Sequence, residues 1–187
     1  MSTPKNFLRR CRWAESNAMI RHYHDTEWGK PIYDSRQLWE ALVLESFQCG
    51  LSWNIVLQKR DSLRRAFYGF DPYKVASMTR EDEVRLVMDK SLIRSKQKIA
   101  ATITNARAWV TMHYRKEDFA GFVWSFARQS EIKRTSYLQQ KTPQSCQIAA
   151  ALKNHGFVLV GPIMIYAWMQ AIGMVQGHEP CCFLYTP

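Results

Sequence analysis

The chain is organised around residues 44–53, LESFQCGLSW. Upstream of this segment, Leu38 and Leu42 repeat at helical spacing, and the same stripe continues to Glu45 and Cys49. The pattern therefore predicts a carboxylate on the inward face of an apolar helix.

Burying a lone carboxylate costs several kcal/mol unless something compensates its charge. For Glu45 the compensation is either structural, from an arginine, a helix N-terminus or backbone N–H groups, or a cationic or hydrogen-bond-donating ligand. Gly50 is predicted to end the helix and Ser52 to cap the next one. That turn would direct Trp53 back toward Glu45, and a carboxylate beside a large aromatic face suits a flat cation.

Composition describes a globular and strongly basic chain. Its 187 residues are enough for one domain, or for two small lobes that share a core. The formal net charge is +10, from 26 Lys and Arg against 16 Asp and Glu, which favours an anionic partner such as nucleic acid. A basic protein that binds no nucleic acid is the alternative. The longest apolar run, residues 162–175, is too short for a membrane span and contains Gln170, so we predict a buried core helix and no membrane association.

The cysteine pattern favours free thiols. No N-terminal secretion signal is present, and the number of cysteines is odd. We therefore expect a reduced, cytoplasmic protein whose cysteines are available for metal. The five are Cys11, Cys49, Cys146, Cys181 and Cys182.

Helical periodicity dominates the rest of the chain, and the predicted fold class is all-α. No alternating segment is long enough for a convincing strand. Residues 128–146 are polar and are the best loop candidate. Helix starts are predicted after Asp34, Ser52, Asp61, Asp71, Thr79 and Gly161.

Two cysteines and two histidines near the ends of the chain form a candidate metal site. They are Cys11 and His24 at one end, and His178 and Cys182 at the other. The His-x3-Cys spacing puts two ligands one helical turn apart, and thiolate with imidazole favours zinc. The spacing of Cys11 and His24 matches no standard zinc finger, so ordinary buried side chains are the alternative.

Residues 91–99 are predicted to form a basic hairpin between two helices. Arg94, Lys96 and Lys98 surround the turn, and the N-terminus of the following helix attracts phosphate. Such a hairpin would bind one DNA backbone without reading its sequence. A solvated charged face is the alternative.

Four aromatic residues near the predicted position of Glu45 are candidates for a pocket that stacks a flipped base. They are Trp13, Tyr23, Trp28 and Trp53. The alternative for each is an ordinary place in the core.

Long tryptophan-rich motifs carry a resemblance to a known family. Residues 23–29 (YHDTEWG), 44–53, 123–126 (VWSF) and 160–162 (VGP) resemble, in order, the bacterial 3-methyladenine DNA glycosylases of the constitutive type I class. The resemblance extends from Cys11 to Cys182.

The resemblance implies one glycosylase domain, residues 1–187, with a helix–hairpin–helix near residues 80–112. It implies one structural zinc ion that joins the termini through Cys11, His24, His178 and Cys182. It also implies a base pocket with Glu45 as the catalytic carboxylate, walls of Trp13, Tyr23 and Trp53, and support from Trp28. DNA-backbone contacts would fall on Arg94, Ser95, Lys96 and Lys98.

The implied activity is hydrolysis of the N-glycosidic bond of N3-methyladenine in double-stranded alkylated DNA, with 3-methyladenine as product. No lysine falls in the pocket, so neither a Schiff base nor strand cleavage is expected. We expect a monomer. The alternative is a non-catalytic, zinc-stabilised binder of alkylated or distorted DNA.

Three departures from the family pattern bear on these expectations. Ser91 replaces the hairpin glycine, which would alter the phosphate contacts. Ile20 replaces a pocket tyrosine of some members, which would remove one contact to the base. Gly177 replaces an aspartate just before the last histidine.

Overall fold

A computed structural model describes residues 8–127 and 140–186, and within these residues all regular structure is helical. This confirms the predicted all-α class. The helices in chain order are α1 (Ala18–Thr26), α2 (Ser35–Gln48), α3 (Trp53–Ala66), α4 (Pro72–Ala76), α5 (Arg80–Met88), α6 (Lys96–Tyr114), α7 (Phe119–Ala127), α8 (Pro143–Asn154) and α9 (Pro162–Ala171). Short 3-10 helices span Arg12–Ser16 and Tyr68–Phe70.

Helix α2 is the centre of the fold. Its residues from Leu42 to Phe47 are all buried, and it packs against α3, α6, α7 and α9. Asp34 caps its N-terminus by accepting the Gln37 N–H at 2.8 Å. The indole of Trp168 on α9 donates to the Leu38 carbonyl at 3.2 Å. A helix enclosed by its neighbours in this way can present a buried polar group to an internal site.

Five of the six predicted helix starts are confirmed, three of them with side-chain caps. Ser52 and Gly161 precede α3 and α9 without a side-chain cap bond. Asp71 accepts two backbone N–H bonds at the start of α4, and Thr79 forms a capping box with Asp82 at the start of α5. The start predicted after Asp61 is wrong, because α3 runs without a break from Trp53 to Ala66. No glycine or proline interrupts this segment, and Asp61 lies exposed on its surface.

The loop predicted at residues 128–146 ends earlier than predicted, before α8 begins at Pro143. Thr142 forms a capping box with Ser145, so Pro143 is the first residue of α8. Residues 128–139 lie outside the described part of the chain.

A seven-residue connection, residues 89–95, joins α5 to α6, and both α4 and α5 pack against α6. Ser91, at the position of the family's glycine, lies outside the left-handed region of φ. Its N–H donates to the Asp89 carboxylate at 2.8 Å. The connection therefore accommodates serine without backbone strain.

Helix α9 is the buried core helix predicted from residues 162–175. It begins at Pro162 and ends before Gly173, whose φ is +69°. A Cβ on Gly173 would lie 2.6 Å from the backbone of Lys30 and Pro31, so only glycine fits there. Among the described residues, no helix combines the length and apolar character needed to cross a membrane.

Candidate functional site

Four buried side chains from the two ends of the chain meet at one point. The ligand atoms of Cys11, His24, His178 and Cys182 all lie within 4.8 Å of one another. The Cys182 Sγ is 3.5 Å from His24 Nε2 and 3.6 Å from His178 Nδ1, and the Cys11 Sγ is 3.6 Å from the same Nδ1. Two sulfurs and two imidazole nitrogens at these separations form a donor set that could hold one tetrahedral metal ion.

The spacing argument behind this site is correct in its residues and wrong in its local geometry. His178 and Cys182 are joined by turns rather than by one turn of helix. Gly29 makes room for His178, because a Cβ there would lie 2.7 Å from His178 Nε2. Cys181, the neighbouring thiol, is exposed and lies outside the cluster.

Groups around the cluster orient its ligands. The Asp25 carboxylate lies 2.8 Å from His24 Nδ1, which leaves Nε2 facing the sulfurs. Arg10 donates to both Asp25 oxygens at 2.9 Å. Burial would raise the pKa of Asp25, but the hydrogen bonds from Arg10 and His24 lower it overall.

Burial also shifts the pKa values of side chains in the cluster. It raises the pKa of the Cys11 thiol to about 12 and lowers the pKa of His178 to about 4, with the charge of His24 contributing to the second shift. A bound cation would favour the thiolate instead.

Two tryptophans connect the cluster to the neighbouring pocket. The Trp28 ring centroid lies 4.7 Å from that of His178, and the Trp13 ring lies 5.0 Å from Trp28. Gly177 packs directly beneath Trp28, where a Cβ would lie 2.7 Å from the indole Cη2. The departure from the family's aspartate thus leaves space for Trp28 in this chain.

The pocket itself is a cavity of about 230 Å³. It is lined by Trp13, Tyr23, Trp28, Glu45, Gln48, Trp53, Ala167 and Gln170. The structure therefore brings together all five residues that the sequence assigned to base binding and catalysis. The rings of Tyr23 and Trp53 lie 5.2 Å apart at an angle of 48°.

Glu45 is a buried carboxyl group without a partner in residues 8–127 and 140–186. It is 5% exposed, and no described residue forms a hydrogen bond or an ion pair with its side chain. Desolvation raises its pKa to about 8. The structural compensation considered from sequence is therefore absent from the described residues, which favours compensation by a ligand.

Tyr23 lies close enough to Glu45 for their charges to interact. Desolvation, and then the charge of Glu45, raise the pKa of Tyr23 well above its ordinary value. The tyrosine therefore remains a neutral hydroxyl group at the pocket wall.

A second, larger cleft of about 520 Å³ shares Tyr23, Glu45 and Trp53 with this pocket. Arg60 lines it and donates to Glu27 at 2.6 Å and to Glu40 at 3.2 Å. Sequence reasoning missed this network. The signal available was the pair of arginines at positions 60 and 64, one helical turn apart on α3.

The hairpin residues divide into two groups. Arg94 and Lys96 are exposed, and no described residue pairs with their side chains. Ser95 instead caps α6 by accepting the Lys98 N–H at 3.4 Å. The Lys98 ammonium donates to the carbonyls of Phe47 and Cys49.

The last departure, Ile20, and the predicted inward position of Cys49 both have local outcomes. Ile20 is buried and does not line the pocket of about 230 Å³. Cys49, expected on the inward stripe, is exposed because it lies past the end of α2.

Comparisons with known proteins agree with this geometry. The family model described as methyladenine glycosylase matches residues 13–185. The chain is 43% identical to DNA-3-methyladenine glycosylase 1 of Escherichia coli (strain K12) over 95% of this chain and 97% of that protein.

Two solved structures are similar to the whole described fold. A crystal structure of 3-methyladenine DNA glycosylase I has a TM-score of 0.90 at 43% identity and covers 95% of this chain and 100% of that one. A variant of 3-methyladenine DNA glycosylase I, solved in complex with 3-methyladenine, has a TM-score of 0.84 at 28% identity, covering 95% and 99%. The chain belongs to the methyladenine glycosylase family.

Proposed function

We propose that this protein is a DNA-3-methyladenine glycosylase that excises N3-methyladenine from alkylated DNA and so starts base excision repair. The observation that carries the proposal is the unpaired, buried Glu45 at an aromatic pocket of base size. A cationic purine would supply both the missing positive charge and the stacking partner.

In the proposed pocket, one residue recognises the charge of the methylated base and the others recognise its shape. The Glu45 carboxylate would accept hydrogen bonds from the adenine edge and favour the cation. Trp13 and Trp53 would stack on the ring, Tyr23 would supply a hydroxyl group, and Trp28 would support the wall.

The reaction requires little from the protein beyond this environment. The methylated base is already cationic, so the C1′–N9 bond breaks with its electron pair moving to N9, and the base leaves neutral. Water adds to C1′ of the oxocarbenium-like sugar and releases one proton, leaving an abasic site. Desolvation, orientation and negative charge would supply most of the rate.

The whole chain, residues 1–187, is proposed to act as a single domain and as a monomer. The hairpin between α5 and α6 would contact the DNA backbone through the free cations Arg94 and Lys96. The N–H groups of Ile93 and Arg94 form no hydrogen bond with any described residue. They would therefore also bind a DNA phosphate.

Zinc is the metal that best fits the cluster at the chain ends, because two sulfurs and two imidazoles leave no ligand position open. A zinc ion held by Cys11, His24, His178 and Cys182 would join the termini and stabilise the fold. It would also fix Trp28, whose ring contacts His178.

The test is release of 3-methyladenine from methylated duplex DNA, resolved by chromatography. We expect the wild type to release the base and Glu45→Gln to lower kcat/KM about 100-fold or more, since it removes the charge that faces the cation. Glu40→Gln is the matched control, because it removes the same charge from the same helix at a site outside the base pocket. We expect it to stay within about tenfold of the wild type.

Two results would contradict parts of this proposal. Unchanged release by a folded Glu45→Gln would remove Glu45 from the mechanism while leaving the activity. Absence of release by a wild type that binds abasic duplex would favour the non-catalytic binder instead.

A further inference from the structure

Lys98 forms a direct link between the DNA-binding hairpin and the end of the central helix. It lies in the first turn of α6, directly after the exposed cations of the hairpin. Its ammonium group donates to the Phe47 carbonyl at 2.8 Å and to the Cys49 carbonyl at 2.6 Å. Desolvation lowers the pKa of Lys98, as expected for an ammonium group drawn against the protein.

The two carbonyls belong to the segment that shapes the base pocket. Glu45 lies in the last turn of α2, and the turn after it leads directly to Trp53 at the start of α3. Gln48, another pocket residue, bonds across this turn to Leu51 in both directions, at 2.7 and 3.0 Å. Movement of the end of α2 would therefore displace the carboxylate, Gln48 and the stacking indole together.

Helix ends leave carbonyls unpaired, and a cation there satisfies them. A lysine on the same helix could serve that purpose. Lys98 instead comes from α6, 49 positions along the chain from Cys49, so its contacts also set the distance between two helices.

We propose that Lys98 is a positioning residue for base excision, which fixes the end of α2 and the pocket it carries relative to the DNA-binding hairpin. The inference rests on the proposed glycosylase activity. The effect of Lys98 on the pocket, however, can be measured as free-base affinity, without catalysis. Two other roles compete with it: a phosphate ligand, as expected from sequence, and a helix cap that affects stability alone.

The experiment compares the melting temperatures of wild type and Lys98→Met, and then makes three measurements on the folded proteins. These are affinity for the free base 3-methyladenine from tryptophan fluorescence, the salt dependence of binding to duplex DNA with an abasic site, and kcat and KM for base release. We expect about tenfold weaker free-base binding and a kcat lowered about 10- to 100-fold, because small displacements of a reacting geometry have effects of this size.

Lys153→Met is the matched control. Lys153 is exposed near the end of α8, and the same charge is lost without a contact to α2. We expect Lys98→Met and Lys153→Met to show the same salt dependence of duplex binding. Lys98→Arg, which keeps a charged donor, should recover part of the free-base affinity.

Two outcomes would overturn the proposal. Unchanged free-base affinity with a salt slope reduced by about one would identify a phosphate ligand. A lower melting temperature with unchanged free-base affinity and kcat would identify a plain helix cap.

Two further cases keep the inference testable. If Lys98→Met does not fold, Lys98→Gln decides, since its amide carries no charge and its side chain is one atom shorter than that of lysine: weaker free-base binding at wild-type salt slope supports positioning, and wild-type affinity overturns it. If the wild type releases no base, the proposed activity fails, while free-base affinity still tests the position of the pocket.

Discussion

Glu40 and Glu45 are five residues apart on the same helix and have opposite environments. Glu40 accepts from Arg60 at 3.2 Å and from Arg64 at 2.9 Å, so its charge is compensated within the protein. Glu45 has no such partner among the described residues, and its pKa rises to about 8. Glu40 is thus used to join helices. Glu45 is available to a ligand, and its uncompensated burial lowers the stability of the free protein.

The joining role of Glu40 serves the pocket indirectly. Arg60 on α3 contacts Glu27, which follows α1, as well as Glu40 on α2. These three helices carry Tyr23, Glu45 and Trp53, the three residues shared by both cavities. The paired carboxylate therefore stabilises the arrangement that holds the unpaired one in the pocket.

The largest expected effect on stability comes from Glu45→Gln. Glu45 has a pKa of about 8 in the folded protein against an ordinary value of 4.5. Between these pH values the folded protein keeps a proton that the unfolded chain has lost, so its stability falls as the pH rises from about 4.5 to about 8. Urea unfolding at pH 5 and pH 9 should show Glu45→Gln gaining a few kcal/mol relative to wild type at the higher pH only.

The same measurement on Glu40→Gln sharpens the contrast. Its carboxylate is paired, so the variant should lose stability, by about 1–3 kcal/mol, for the loss of charge-assisted hydrogen bonds. A gain of stability in Glu40→Gln at pH 9, or a pH-independent effect of Glu45→Gln, would contradict the assignment of the two environments.

A smaller effect is expected when Arg60 is replaced by methionine. The change leaves Glu27 without its arginine and Glu40 with Arg64 alone, so the free energy of unfolding should fall by about 2 kcal/mol. Free-base affinity should also fall, by about tenfold, because α1, α2 and α3 lose their common contact.

Arg65→Met is the control for this change. Arg65 is exposed on the same helix, and among the described residues its side chain donates only to Ser62. Neither stability nor free-base affinity should therefore change beyond about 0.5 kcal/mol. Equal effects of the two variants would show that the network behind the pocket has no special role.

The contrast between these residues also explains what the sequence could predict. Glu45 stood out because a helical stripe placed a carboxylate among leucines, and the metal-cluster residues stood out by type. Arg60 did not, because its role depends on three helices that converge only in the folded chain. Lys98 was expected to face phosphate, because a charge pattern gives the position of a cation but not the direction of its side chain. The predicted helix start after Asp61 failed for a related reason: a good capping residue can also lie on the surface of a continuous helix.

The smallest predicted effect concerns a third carboxylate, Asp89, in the hairpin that is proposed to bind DNA. It accepts the Ser91 N–H at 2.8 Å. Hydrogen bonding to the side chain of Ser91, and then to its N–H, lowers the pKa of Asp89, so it is ionised where phosphate is expected to bind. Asp89→Asn keeps an oxygen acceptor for the Ser91 N–H and removes the negative charge. Affinity for abasic duplex should rise about two- to threefold at low salt and by less at high salt, because screening weakens the repulsion that the carboxylate exerts. Fluorescence anisotropy at two salt concentrations measures this, with free-base affinity as the internal control. A fall in duplex affinity would mean that the Asp89 charge supports the hairpin more than it repels DNA.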